Sequence, residues 1–201
     1  MTDNDVEGIL YTPLMQAARR KASAQEIAEL IKQCENINAA EYEGRTALMY
    51  ALRYDCVKDI IELFLQNGAD LNAKDELNQT PLMYVVMQHE HLDIIKMLID
   101  AGSDLACKNS YGWTALGTAA CFNPHTSVLR LMLQYDKNVN EVDNYGKTLL
   151  MNATMYSENP EIVKILLEHG ADKTAKDKDG LTAYDYAVEW EKTELIDMLK
   201  V

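Results

Sequence analysis

TPLMQAA (12–18), TALMYAL (46–52), TPLMYVV (80–86), TALGTAA (114–120), TLLMNAT (148–154) and TAYDYAV (182–188) are six variants of one heptapeptide, and their leading threonines, Thr12, Thr46, Thr80, Thr114, Thr148 and Thr182, stand 34 residues apart at every step. A spacing unchanged over five intervals marks an array of repeated supersecondary units. Each unit reads as turn, short helix, tight connection, second helix, loop. Gly44, Gly112, Gly146 and Gly180 sit two residues before the threonine, with Asn78 in that place in the third unit. A turn there needs a positive φ, which glycine adopts freely and asparagine tolerates. The threonine hydroxyl is placed to accept from a backbone N–H one turn on and so cap the first helix; Pro13 and Pro81 fall at the first helical position, where a missing N–H costs nothing.

The second helices are the amphipathic runs KDIIELFLQNG (58–68), LDIIKMLIDAG (92–102) and EIVKILLEHG (161–170). Gly68, Gly102 and Gly170 close them with a left-handed stop. Neither helix of a unit buries its apolar stripe alone, so neighbouring units must stack into one continuous core with modified ends. The first unit lacks the turn glycine and carries the irregular KASAQ (21–25), which suits an N-terminal cap; the last stops at Leu199–Val201 without the loop that follows the others.

These features resemble the ankyrin repeat family from about residue 8 onward. The likeness rests on the repeated Gly-x-Thr-Pro-Leu start and on GADLNAKD (68–75) and GADKTAKD (170–177). It implies an all-α solenoid of six stacked helix-turn-helix repeats with β-hairpin-like turns, forming a single domain over 1–201 with units near 8–40, 41–74, 75–108, 109–142, 143–176 and 177–201. It also implies a curved array that binds proteins on its concave side. Two departures stand out. Met15, Met49, Met83 and Met151 replace the histidine that usually follows Thr-Pro-Leu, and the period of 34 exceeds the family's commonest by one, the extra residue falling between the helices, as in HEHLDI (89–94) and SENPEI (157–162).

Composition narrows the partner. The chain carries 32 acidic and 19 basic residues, a net charge of −13. Such a surplus repels nucleic acid and anionic membranes and steers toward basic protein surfaces, although it also serves solubility alone. Cys34, Cys56, Cys107 and Cys121 form no CxxC pair, so reduced thiols are expected. The N-terminus has no basic stretch followed by an apolar core, and no run of about 18 apolar residues occurs. A cytoplasmic, monomeric protein is expected.

No convergent set of nucleophile, base and stabiliser is visible, so neither a catalytic site nor a cofactor is expected. Asp177–Gly180 superficially matches a calcium loop, but Ala175 and Tyr186 occupy ligand positions, and it reads as a turn. His89 and His91 fall in an inter-helix turn, with His125 one period after His91; stacked imidazoles about 10 Å apart are too far from each other to share zinc. No metal is expected. Asn78 and Asn152 head sequons, but Thr80 and the Ala153–Thr154 segment are dictated by the repeat, so glycosylation is not expected.

Positions left free by the repeat are more informative. Eight residues after each threonine stand Arg20, Tyr54, Gln88, Phe122, Tyr156 and Trp190. Near the turns stand Tyr42, Leu77, Tyr111 and Tyr145, and immediately before the threonines Arg45, Gln79, Trp113, Lys147 and Leu181. Exposed Tyr, Trp and Arg supply binding energy at protein interfaces. The partner-binding residues expected are therefore Tyr42, Arg45, Tyr54, Leu77, Tyr111, Trp113, Phe122, Tyr145, Lys147, Tyr156 and Trp190; packing against neighbouring first helices is the competing role for the Tyr54–Trp190 column. Tyr111, Trp113 and Tyr145 are read as turn-tip residues with little to pack on. On the outer helices Lys96, Arg130 and Lys164 form another column, expected to make solvated pairs with Asp93 and Glu161. The leading expectation is a non-catalytic protein-binding module. The alternatives are a catalytic, small-molecule- or metal-sensing protein using the first unit or the histidine-bearing turns, and an architectural or self-associating spacer.

Overall fold

Local chemistry builds twelve short helices among the described residues. The computed structural model describes residues 11–55 and 57–200, and among these the order is α1 (Pro13–Arg19), α2 (Ala24–Gln33), α3 (Ala47–Arg53), α4 (Lys58–Gln66), α5 (Pro81–Gln88), α6 (Leu92–Asp100), α7 (Ala115–Phe122), α8 (Thr126–Tyr135), α9 (Leu149–Tyr156), α10 (Pro160–Glu168), α11 (Ala183–Glu189) and α12 (Thr193–Leu199). Odd-numbered helices stack on one another, even-numbered helices form a second row, and each pair closes one repeat. The start of the first repeat, Cys56 and Val201 lie outside the described residues.

The threonine column caps as its chemistry requires. Thr12, Thr46, Thr114, Thr148 and Thr182 each accept from the backbone N–H three residues on, at 3.2–3.4 Å. Thr80 is the exception, its helix opening on Pro81 with no such bond. Methionine takes the place left by the expected histidine. Met15, Met49, Met83 and Met151 are buried, and the thioethers of Met49 and Met151 accept from the Thr46 and Thr148 amides at 3.5 and 3.3 Å, returning the cap bond. The turn residues adopt the required left-handed backbone, with Gly112 at φ +88° and Asn78 at +56°. Strand-like pairing among the described residues is confined to isolated bridges, Ala40 with Thr46 and Val142 with Thr148.

Polar bonds hold successive repeats in register. Backbone amides of Glu76, Ser110 and Asn144 donate to the carbonyls of Glu43, Leu77 and Tyr111 in the preceding turn at 2.8–3.1 Å. On the loops, Asn38, Asn72 and Asn140 accept from the amides of Asp70, Asp104 and Asp172, at 2.7–2.8 Å. Between the rows runs one apolar core, with Leu48, Ile61, Phe64, Leu98, Leu116 and Leu129 fully buried. Burying such side chains contributes about 1.5–3 kcal/mol each, which the short helices need because isolated helices of this length are marginal. On the outer row Lys164 pairs with Glu161 at 3.1 Å, as its spacing suggests, whereas Asp93 lies 4.0 Å from Lys58 of the neighbouring repeat.

Candidate functional site

Each turn among the described residues carries a buried polar residue five positions before the threonine. Asp75 Oδ1 accepts from the amides of Leu77 and Gln79 at 2.9 and 2.8 Å, Asn109 from Tyr111 and Trp113 at 3.0 Å, and Asp143 from Tyr145 and Lys147 at 2.8 and 2.9 Å. These bonds fix the backbone of each tip. The second carboxylate oxygen of Asp75 accepts from the Tyr84 hydroxyl at 2.6 Å, that of Asp143 from Asn152 at 3.0 Å, and that of Asp177 from Tyr186 at 2.5 Å. Burial and the Asp75 carboxylate push the Tyr84 phenol up to about 12. Burial alone would raise the Asp177 carboxyl, but hydrogen bonds from Tyr186 and from the Leu181 and Asp179 amides outweigh it and hold the group below the usual range. This network escaped the sequence reading; its signal was the column Glu41, Asp75, Asn109, Asp143 and Asp177.

The two cations of the expected set are committed to that network. Arg45 Nε donates to the Tyr84 hydroxyl at 3.0 Å and its guanidinium pairs with Glu43. Lys147 Nζ donates to the Tyr186 hydroxyl at 2.7 Å and lies 4.3 Å from that ring's centre. Both bridge a turn to the first helix of the next repeat.

The aromatic residues form a ribbon. Trp113 has its ring centre 5.5 Å from Tyr111, 5.4 Å from Phe122 and 5.6 Å from Tyr156; Phe122 and Tyr156 are 6.2 Å apart, and Tyr156 continues to Trp190 at 6.0 Å. These are favourable aromatic separations. Trp113 is therefore corrected from a tip with little to pack on: it is half-buried among three rings, and its indole N–H has no hydrogen-bond partner among the described residues. Tyr111 and Tyr145 do stand at exposed tips, Tyr145 with 62% of its surface free. Phe122, Tyr156 and Trp190 are each more than a third exposed. Tyr54 stacks on Tyr50 at 6.2 Å and is half-buried against the core, while Tyr42 and Leu77 are exposed. Between the turns and the odd-numbered helices lies a groove of about 600 Å³, bordered by Leu77, Tyr111, Trp113, Phe122, Tyr145, Lys147 and Tyr156. Of the expected residues, these seven come together; Tyr42, Arg45, Tyr54 and Trp190 do not border it.

Beneath the ribbon, Glu141 accepts from the Thr114 hydroxyl at 2.8 Å, and burial pushes its carboxyl up. Cys121 is buried beside it, its thiol also raised by burial. Cys34 and Cys107 are free thiols. Asp177–Gly180 is a turn, closed by the Gly180 amide on the Asp177 carbonyl at 3.1 Å. His125 pairs with Glu90 at 3.3 Å, while His89 and His91 of a single turn converge on Asp55.

Comparison with known proteins matches the family model described as ankyrin repeats (3 copies) to residues 2–75, 56–143, 82–177 and 120–200. No curated protein sequence matches. Among solved structures, the chain is similar to one from the complex of the Bd0816 predatory endopeptidase of Bdellovibrio bacteriovorus with immunity protein Bd3460, at 25% identity and a TM-score of 0.80, covering 94% of this chain and 97% of that one. The ankyrin repeat protein EF0377 is 28% identical with a TM-score of 0.79, covering 94% and 98%. An ankyrin repeat domain of Acinetobacter baumannii AYE, ABAYE2397, is 34% identical with a TM-score of 0.76, covering 93% and 95%. No helix among the described residues is long and apolar enough to cross a membrane.

Proposed function

Because the chain belongs to the ankyrin repeat family, whose repeats are protein–protein interaction modules and typically non-catalytic, we propose that it works by docking a partner protein along its aromatic groove. The observation that carries this reading is the ribbon of Tyr111, Trp113, Phe122 and Tyr156, partly open to solvent and bordering the groove, with Trp190 continuing it beyond the groove. Contiguous exposed aromatics are costly to leave in water and are the side chains that anchor interfaces. The partner should offer apolar projections for this groove. Basic groups around them would be drawn by the net charge of −13, since Arg45 and Lys147 are already paired to tyrosine hydroxyls. The similar chain in the endopeptidase and immunity-protein complex supports a role exercised through protein contact.

A photo-reactive residue at position 145 should crosslink the partner in its native extract, and one at position 96 on the outer row should not. With the partner identified, Tyr145→Ala and Tyr111→Ala should each weaken binding by about 2 kcal/mol, as buried anchors do. Unchanged affinity in both variants would refute the groove as the binding face.

A further inference from the structure

The turn between α5 and α6 carries His89 where one helix ends and His91 where the next begins, with their rings near-parallel and 5.6 Å apart. Asp55, in the equivalent turn of the preceding repeat, meets both. Its Oδ1 is in close contact with His91 Nε2 and lies 3.7 Å from His89 Nδ1, and the three ligand atoms fall within 4.8 Å of one another. The other nitrogen of His89, Nε2, is 3.3 Å from the Arg53 carbonyl oxygen. A carbonyl only accepts, so Nε2 carries a proton, and in the neutral ring Nδ1 turns its lone pair toward the Asp55 carboxylate. Two lone pairs facing each other repel. A separation of 3.7 Å is also longer than the hydrogen bond that protonating Nδ1 would make. It is a distance that one cation spans, with nitrogen and oxygen ligands at about 2.0–2.2 Å.

We infer that Asp55, His89 and His91 form a binding site for a divalent transition-metal ion of the zinc type. Nδ1 of His89, Nε2 of His91 and Oδ1 of Asp55 are the protein ligands, and the fourth position is open to water. Two imidazoles and one carboxylate are a donor set suited to zinc, whereas the harder magnesium and calcium ions take all-oxygen sets. Binding requires His91 to offer its Nε2 lone pair, with the ring proton on Nδ1, and Asp55 Oδ1 and His91 Nε2 to part to ligand spacing; a proton displaced from between them passes to solvent. The Arg53 carbonyl supplies the outer hydrogen bond that orients a ligating histidine. Asn123 steadies the same turn by donating to the Val86 and His89 carbonyls at 2.9 and 3.0 Å. Lys21 opposes the ion, its ammonium lying 3.4 Å from the second Asp55 oxygen. The ion would clip the second repeat to the third at the ends of their first helices.

The test uses the untagged full chain, stripped with chelator and titrated with zinc chloride by calorimetry, alongside thermal unfolding and nitrogen NMR of the imidazoles. One ion should bind per chain with a dissociation constant below about 0.1 mM, and the melting temperature should rise because the ion binds only the folded array. Asp55→Asn, His89→Gln and His91→Ala should each weaken binding at least tenfold, and His125→Ala should leave it unchanged. Asparagine is chosen at position 55 because the backbone there has φ +62°. Lys21→Gln should tighten binding. In the unmutated chain zinc should shift Nδ1 of His89 and Nε2 of His91, a readout that stands even where a variant does not fold. No heat or shift at about 1 mM zinc, binding retained in all three ligand variants, equal loss in His125→Ala, weakening in Lys21→Gln, or shifts confined to other histidines would each overturn the site.

Discussion

Replacing Gly112 and Gly68 by alanine separates the two reasons a repeat turn or helix stop uses glycine. Both have positive φ, +88° and +79°, so both variants suffer the left-handed penalty of about 1–2 kcal/mol. They differ in space. A Cβ on Gly68 meets nothing within 4 Å, whereas one on Gly112 would lie 2.6 Å from the backbone nitrogen of Asn144 and 2.7 Å from its side-chain oxygen. Asn144 cannot simply step back, because its amide donates to the Tyr111 carbonyl at 3.1 Å and its side chain to Ser110 at 2.9 Å. Relief must push one turn off its neighbour, and such overpacking adds about 1–3 kcal/mol. Gly68→Ala should therefore cost about 1–2 kcal/mol and Gly112→Ala about 2–5 kcal/mol. Urea unfolding followed by far-ultraviolet circular dichroism and by tryptophan fluorescence measures both costs, with hydrogen exchange at the Asn144 amide reporting the local opening. Equal costs for the two variants, or undiminished exchange protection at Asn144 in Gly112→Ala, would refute the stacked-turn reasoning. The same displacement would move Tyr111 and Tyr145 apart, so partner affinity should fall in Gly112→Ala and hold in Gly68→Ala.

Tyr145→Ala should leave stability within about 0.5 kcal/mol, as an exposed tip does, but Trp113→Ala should cost about 1–3 kcal/mol because it removes a ring packed on three others; equal midpoints in denaturant would contradict that packing. Leu98→Ala, fully buried in α6, should cost about 2–5 kcal/mol through its cavity, and its binding defect should vanish once only folded protein is counted. The depressed Asp177 carboxyl contributes stability that is complete above the ordinary carboxylate pKa and lost as pH falls through its lower folded value, so Asp177→Asn should flatten acid unfolding in that range. Glu141 has the opposite sign: its raised carboxyl makes stability decline as pH climbs from the unfolded toward the folded value, and Glu141→Gln, which keeps an acceptor for Thr114, should remove that decline in pH-dependent melts.

How much was legible in the chain follows from how local each cause is. The period of 34, the left-handed turn residues and the threonine caps act within a few residues of one another, so helices α1 to α12 and their stacking into an array could be read directly. The aromatic columns could be read as well, since stacked repeats bring equivalent positions side by side. Their roles could not. Trp113 and Tyr145 stand two positions apart in the repeat pattern, yet one is wedged among rings and the other is largely exposed, a difference set by the neighbouring rings each one meets. Arg45 reaches Tyr84 and Lys147 reaches Tyr186 across 39 residues, a separation that is not the period. Asp55 meets both His89 and His91, 34 and 36 residues on, and only the first of these separations is the period. Periodicity specifies which residues share a column; only the packed array decides which atoms of adjacent columns come within bonding distance, because that depends on rotamer and register, which burial selects and a one-dimensional spacing does not record.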